Sequence, residues 1–184
     1  MPPKPLPKNT LPAYYHAAQA VVAVQFGIKV RSVSILPDWA GRTHTRLASV
    51  RESCVLEKPN PKWVSKFVER YVMTLLAGIV GRQIRVERHF GFLGRSTGQV
   101  RLDNQYRAKL RKCEEPDLGT AFGLAFGWLE ASDDGDTINT LERLRWEVRE
   151  MFQIDADRQR LDRLANRLIE LGEMSGAEIV ELVV

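Results

Sequence analysis

Apolar and polar positions divide this chain into a run of helices with one short β unit near its start. Across residues 11–26, Tyr14, Ala18, Val21, Val22 and Phe26 recur at helical spacing, Pro12 fits a first turn, and Gly27 reads as the stop. Residues 28–36 then alternate apolar with polar, from Ile28, Val30 and Val33 to Ile35, the pattern of a half-buried strand that Pro37 and Asp38 end. After a turn at Gly41, residues 42–50 predict a second strand. Asn60-Pro61 opens a helix whose buried face is Trp63, Phe67, Val68, Tyr71, Val72, Leu75 and Leu76, and Ala77-Gly78 reads as its end.

From 81 to 112 the periodicity fades and arginine, lysine and glycine take over. This predicts a long basic loop or insertion, with one short helix near residues 105–111. Helices follow over 117–129, 136–152 and 157–171, the last two amphipathic with Arg and Glu on their outer faces, and Gly172 closes the third. Ser175 and Glu178 form a capping box ahead of Ile179, Leu182 and Val183. The expected fold class is mainly α (α+β), a helical bundle with a small antiparallel β unit after the first helix.

At 184 residues and 44% hydrophobic content, one domain over 11–184 accounts for the chain. Residues 1–10, with Pro2, Pro3, Pro5 and Pro7, read as a flexible tail that lacks the apolar core of a signal peptide. Lys+Arg exceed Asp+Glu by only 27 to 23, so composition permits a nucleic-acid partner without indicating one. Cys54 and Cys113 have no CxxC spacing, which suggests neither a zinc knuckle nor a disulfide framework and suits a cytoplasmic setting. The absence of an apolar run of about 18 residues predicts no membrane span.

The stretch richest in chemistry is Ala13-Tyr14-Tyr15-His16-Ala17-Ala18-Gln19-Ala20-Val21-Val22-Ala23, followed by the strand from Gly27 to Pro37. It resembles the helix A-Y-H-E-A-G-H-A-V-V-A of FtsH-type zinc proteases and the strand after it. Leu75-Leu76-Ala77-Gly78 resembles that family's L-A-G helix. Asp136 stands where the third zinc ligand opens a helix, and residues 164–183 resemble the closing L-A-x-x-L-x-E-x-x-x-L-S-G-x-E-I segment. The resemblance covers most of the chain and implies a stand-alone peptidase-type domain.

Aligned this way, Tyr15 and Gln19 occupy the two histidine positions of H-E-x-x-H and His16 occupies the glutamate position. In the intact motif, ligands at i and i+4 share one helical face and reach one Zn²⁺ while the glutamate takes a proton from bound water. A phenol and an amide keep that spacing but lack the nitrogen donors zinc favours. His16 taken alone reads as a surface or helix-packing histidine. Asp136, clustered with Asp133 and Asp134 ahead of a helix, reads more readily as a cap than as a ligand.

The resemblance also implies that Gly41, Arg42, Thr43 and His44, with Thr45 closing the stretch, occupy the edge strand that receives an extended substrate, by backbone pairing that needs no metal. The expected function is therefore a catalytically degenerate metallopeptidase-like domain that binds a peptide or protein partner, with no cofactor. Two alternatives stand beside it. One is a zinc metalloendopeptidase with an altered metal site at His16, Asp136 and Tyr15. The other is nucleic-acid binding through the basic loop, where Arg82, Arg85, Arg88, Arg95 and Arg101 lie near Phe90, Phe92 and Tyr106. ATP binding is not implied, since the glycine stretch Gly91 to Gly98 lacks the G-K-[ST] of a phosphate loop.

Overall fold

The computed structural model describes residues 5–38, 42–48, 61–90, 116–129 and 133–184. The elements run α1 (Thr10–Gln25), β1 (Val30–Ser34), β2 (His44–Leu47), α2 (Pro61–Phe90), α3 (Pro116–Trp128), α4 (Asp134–Met151), α5 (Asp155–Leu171), β3 (Glu173–Ser175) and α6 (Gly176–Val183). The architecture is the expected helical bundle with a small antiparallel sheet. Among the described residues, no helix is long and apolar enough to cross a membrane.

Helix α1 is the centre of the molecule. Ala13, Ala17, Ala18, Ala20, Val21, Val22 and Ala23 are fully buried, and small side chains on every face let neighbours close in around it. It packs on α2 and α5 and touches β1, β2 and α6. Gly27 ends it with φ of 71°, the left-handed conformation a glycine adopts without steric cost. The sheet order is β2-β1-β3, both pairs antiparallel, with a register shift between Val30 and Ser32. Strand β3 was not anticipated, because three residues are too few to display an alternating pattern.

The largest departure from the sequence reading is α2, which runs 30 residues to Phe90 and does not stop at Ala77-Gly78. Gly78 and Gly81 serve contact with α1 and do not terminate the helix. A Cβ on Gly81 would stand 2.5 Å from both the Ala18 Cβ and the Tyr14 carbonyl oxygen, and one on Gly78 would stand 2.6 Å from the Tyr15 ring. The first ten residues of the expected basic loop are therefore helical. Their arginines have specific neighbours: Arg82 lies over the Tyr15 ring, Arg85 over Tyr14, and Arg88 pairs with Asp162 of α5 at 2.8 Å. The remainder of that expected loop, 91–112, lies outside the described residues.

Polar groups tie the helices together where they are buried. The Tyr14 hydroxyl donates to Asp162 at 2.8 Å, and burial, with the Asp162 hydrogen bond and charge, pushes this phenol up to about 12. Arg149 of α4 holds Glu87 of α2 through two hydrogen bonds of 3.1 and 2.8 Å in a nearly dry contact. The capping box forms as expected, with Ser175 Oγ accepting from the Glu178 N–H and Glu178 accepting from the Ser175 N–H at 2.8 Å.

The two kinds of glycine give opposite expectations. Gly81→Ala forces α1 and α2 apart and should lower unfolding free energy by about 1–3 kcal/mol, as core overpacking does. Gly123 of α3 meets nothing within 4 Å of an added Cβ, so Gly123→Ala should raise stability by about 0.5–1 kcal/mol. Urea unfolding of the two variants measures both, and equal effects would mean that α2 does not approach α1 as described.

Candidate functional site

On the side of α1 facing β2 and α3, the described residues enclose a cleft of about 1060 Å³. Tyr15, His16 and Gln19 of α1 form its floor; Thr43, His44, Thr45 and Arg46 form one wall; Tyr71, Leu75 and Arg82 of α2 with Pro116, Asp117 and Thr120 of α3 form the other. Tyr15 and Gln19, one helical turn apart, meet at a single atom. The Tyr15 hydroxyl donates to Asp117 Oδ2 at 2.7 Å and the Gln19 amide nitrogen donates to the same oxygen at 2.8 Å. Gly78 leaves room for the Tyr15 ring, and the Arg82 guanidinium lies over that ring, 5.6 Å from its centroid, so α2 fixes the ring that aims this hydroxyl.

Asp117, in the first turn of α3, is thus the carboxylate that joins the motif positions. Asp136 does not take that place. It sits in the first turn of α4, where its N–H is capped by Asp133 Oδ1 at 2.9 Å, and it is not among the residues lining the cleft. Sequence alone could not choose between them, because both are carboxylates in first turns, where capping and the helix dipole favour any acid. The pairing of Asp117 with Tyr15, 102 residues earlier, is set by the packing of α3 on α2 beside α1, which the sequence does not display.

His16 stands at the position of the motif's general base and is only 5% exposed. Both ring nitrogens are occupied: Nδ1 bonds the Thr45 hydroxyl at 2.8 Å and Nε2 the Thr43 hydroxyl at 2.7 Å. Hydroxyls donate or accept as needed, so a neutral imidazole satisfies both. Burial pushes His16 down to about 4, against the opposing effects of the Gln19 hydrogen bond and the Asp117 charge. The side chain fastens β2 to α1. It is not a histidine held ready to take a proton near neutral pH.

The donor set does not fit a zinc ion. Asp117 Oδ2 already accepts from the two groups at the histidine positions, and Gln19 turns its N–H donor, not an acceptor, toward that point. Among the described residues, no group of three His, Cys, Asp or Glu side chains is placed to hold a metal.

Of the expected strand residues, Arg42, Thr43 and His44 line the cleft, and Gly41 lies outside the described residues. Thr45, the last residue of that expected stretch, lines it as well, while Tyr71 and Arg82 were not anticipated there. No protein-family model matches this chain, and no curated protein matches it.

His16 makes stability depend on pH. The unfolded chain binds the proton first as pH falls below 6.5, while the folded state holds the ring neutral down to about 4, so stability present above 6.5 is lost on acidification across that window. The interval corresponds to about 3 kcal/mol. Urea unfolding between pH 7 and 4.5 should show most of this decline in the native chain and a shallower slope in His16→Gln. Identical slopes would place the titrating group elsewhere.

Proposed function

We propose that this chain is a catalytically degenerate relative of the FtsH-type zinc metallopeptidase domain, and that it binds a peptide or protein partner along β2 without hydrolysing it. The observation that carries this reading is the Tyr15-Gln19-Asp117 cluster. Two side chains at the i, i+4 spacing of a zinc motif converge with one carboxylate, as ligands would, yet they satisfy one another by hydrogen bonds. The floor of an enzyme cleft persists in shape, and its chemistry has been exchanged for cohesion.

The binding half of the proposal rests on β2. It is the outer strand of the sheet, and among the described residues its second edge has no strand partner. An extended chain laid against that edge gains backbone hydrogen bonds whatever its sequence, and alternate side chains then enter the cleft. His16, holding Thr43 and Thr45, keeps the edge straight and in place before the partner arrives, which lowers the ordering cost of binding.

Hydrolysis lacks its parts. A metal-bound water needs ligands that Tyr15 and Gln19 do not supply, and the histidine at the base position is spent on two threonines. The nucleic-acid alternative loses part of its support, because Arg82 and Arg85 lie over tyrosine rings and Arg88 is paired with Asp162.

Two experiments test the halves separately. If the ancestral geometry is intact, the combined substitution Tyr15→His, His16→Glu and Gln19→His should bind zinc at one ion per chain, with binding lost when Asp117→Ala is added. A variant that keeps its helical circular dichroism and binds no zinc would break the family likeness. For the native chain, adding an unfolded polypeptide such as reduced casein should slow hydrogen exchange of the His44–Leu47 amides and leave the casein uncut. Chelator-sensitive cleavage, or native zinc lost in Asp117→Ala, would restore the enzyme reading.

A further inference from the structure

An apolar hollow lies on the outer side of α4 and shares no residue with the cleft, so its reading is independent of strand addition. Arg143, Trp146, Glu147, Glu150, Met151 and Ile154 enclose about 560 Å³, and the lining is almost wholly apolar. Trp146 is 44% exposed and Ile154 58%. The inner side of α4 already buries Leu141, Leu144 and Val148, so this helix is apolar on two faces and only one is covered. Large apolar side chains clustered on a surface mark a contact site, where single ones do not. Ile154 adds an independent sign. It holds the N-cap of α5, makes no side-chain bond to the N–H groups beyond it, and takes no part in the hydrophobic core. Ser, Thr, Asp or Asn would stabilise that helix end, so the isoleucine forgoes stability at an exposed position.

The rim of the hollow is acidic. Arg143 is answered twice, by Glu69 and by Glu147, while Glu150 is exposed and makes no ion pair among the described residues. The other cations of α4, Arg145 and Arg149, point inward to Gln83 and Glu87 of α2. We propose that the hollow docks a basic amphipathic helix of a partner protein, whose apolar side chains cover Trp146, Met151 and Ile154 while a Lys or Arg beside them pairs with Glu150. Such a helix presents anchors at i, i+3 and i+4 with its charges at the border, and it can lie along α4 with ridges in grooves. Nucleic acid and anionic lipid are repelled by the same carboxylates. The same face of a second copy would set those carboxylates against their like.

The test titrates the full chain with two labelled helical peptides by fluorescence anisotropy, one of Leu and Lys in an amphipathic pattern and one with Glu in place of every Lys. The lysine peptide should bind at least about fivefold more tightly, the scale of one or two exposed ion pairs. The chain carries 27 basic against 23 acidic residues, so its overall charge opposes this preference and cannot create it. Trp146→Ala should weaken the lysine peptide at least about tenfold, and Glu150→Lys should remove most of the preference with the thermal melt unchanged. Ile154→Ser separates docking from folding: it should weaken binding while raising the melting temperature, since serine caps α5. Equal binding of the two peptides, binding of neither, or lysine-peptide binding that all these substitutions leave intact would overturn the proposal. So would a concentration-dependent dimer that Trp146→Ala abolishes, because a second copy would then be what covers the hollow.

Discussion

The closeness of α1 to α2 is the constraint on which the other parts depend. Gly81 brings the α2 backbone against the Tyr14 carbonyl, and Gly78 receives the Tyr15 ring. At that separation the alanines of α1 are the right size, α2 continues as one helix to Phe90, and α5 closes over the other side. Because protein interiors are packed as densely as organic crystals, an added methyl here cannot be absorbed by a nearby void. The cleft exists because this contact holds its floor level.

Against that floor, the polar groups of the cleft satisfy one another: Tyr15 and Gln19 turn to Asp117, and His16 to Thr43 and Thr45. Buried polar groups are costly unless paired, so this inward pairing is what makes a polar floor tolerable beneath the cleft. The depressed affinity of His16 for protons comes from burial, which outweighs the Gln19 hydrogen bond and the Asp117 charge that favour the protonated ring.

Most of the fold was legible because its helices carry strong periodicity and ordinary punctuation. Gly27, Gly172 and the Ser175-Glu178 box sit at the ends the sequence predicts. Apart from the three-residue β3, the failures share one cause. Gly78 and Gly81 have the composition of a helix end, and only the partner helix reveals that they are contact points. Losing the end of α2 turned Arg82, Arg85 and Arg88 into members of an expected loop. The positions on α1 were found because an i, i+4 spacing survives in one dimension. The carboxylate that meets them comes from a distant helix, and its identity is a fact of three dimensions.

Tyr14 and Tyr15 are adjacent in sequence, so their side chains leave α1 about a quarter-turn apart, by the 3.6-residue repeat of a helix. One hydroxyl is bonded to Asp162 and the other to Asp117, on two different helices. Together they act like two guy lines on a mast: rolling α1 about its axis, or sliding it by a single residue, breaks at least one. His16, from the same helix, moors the strand side through Thr43 and Thr45, so the floor and the β2 wall of the cleft keep one fixed spacing.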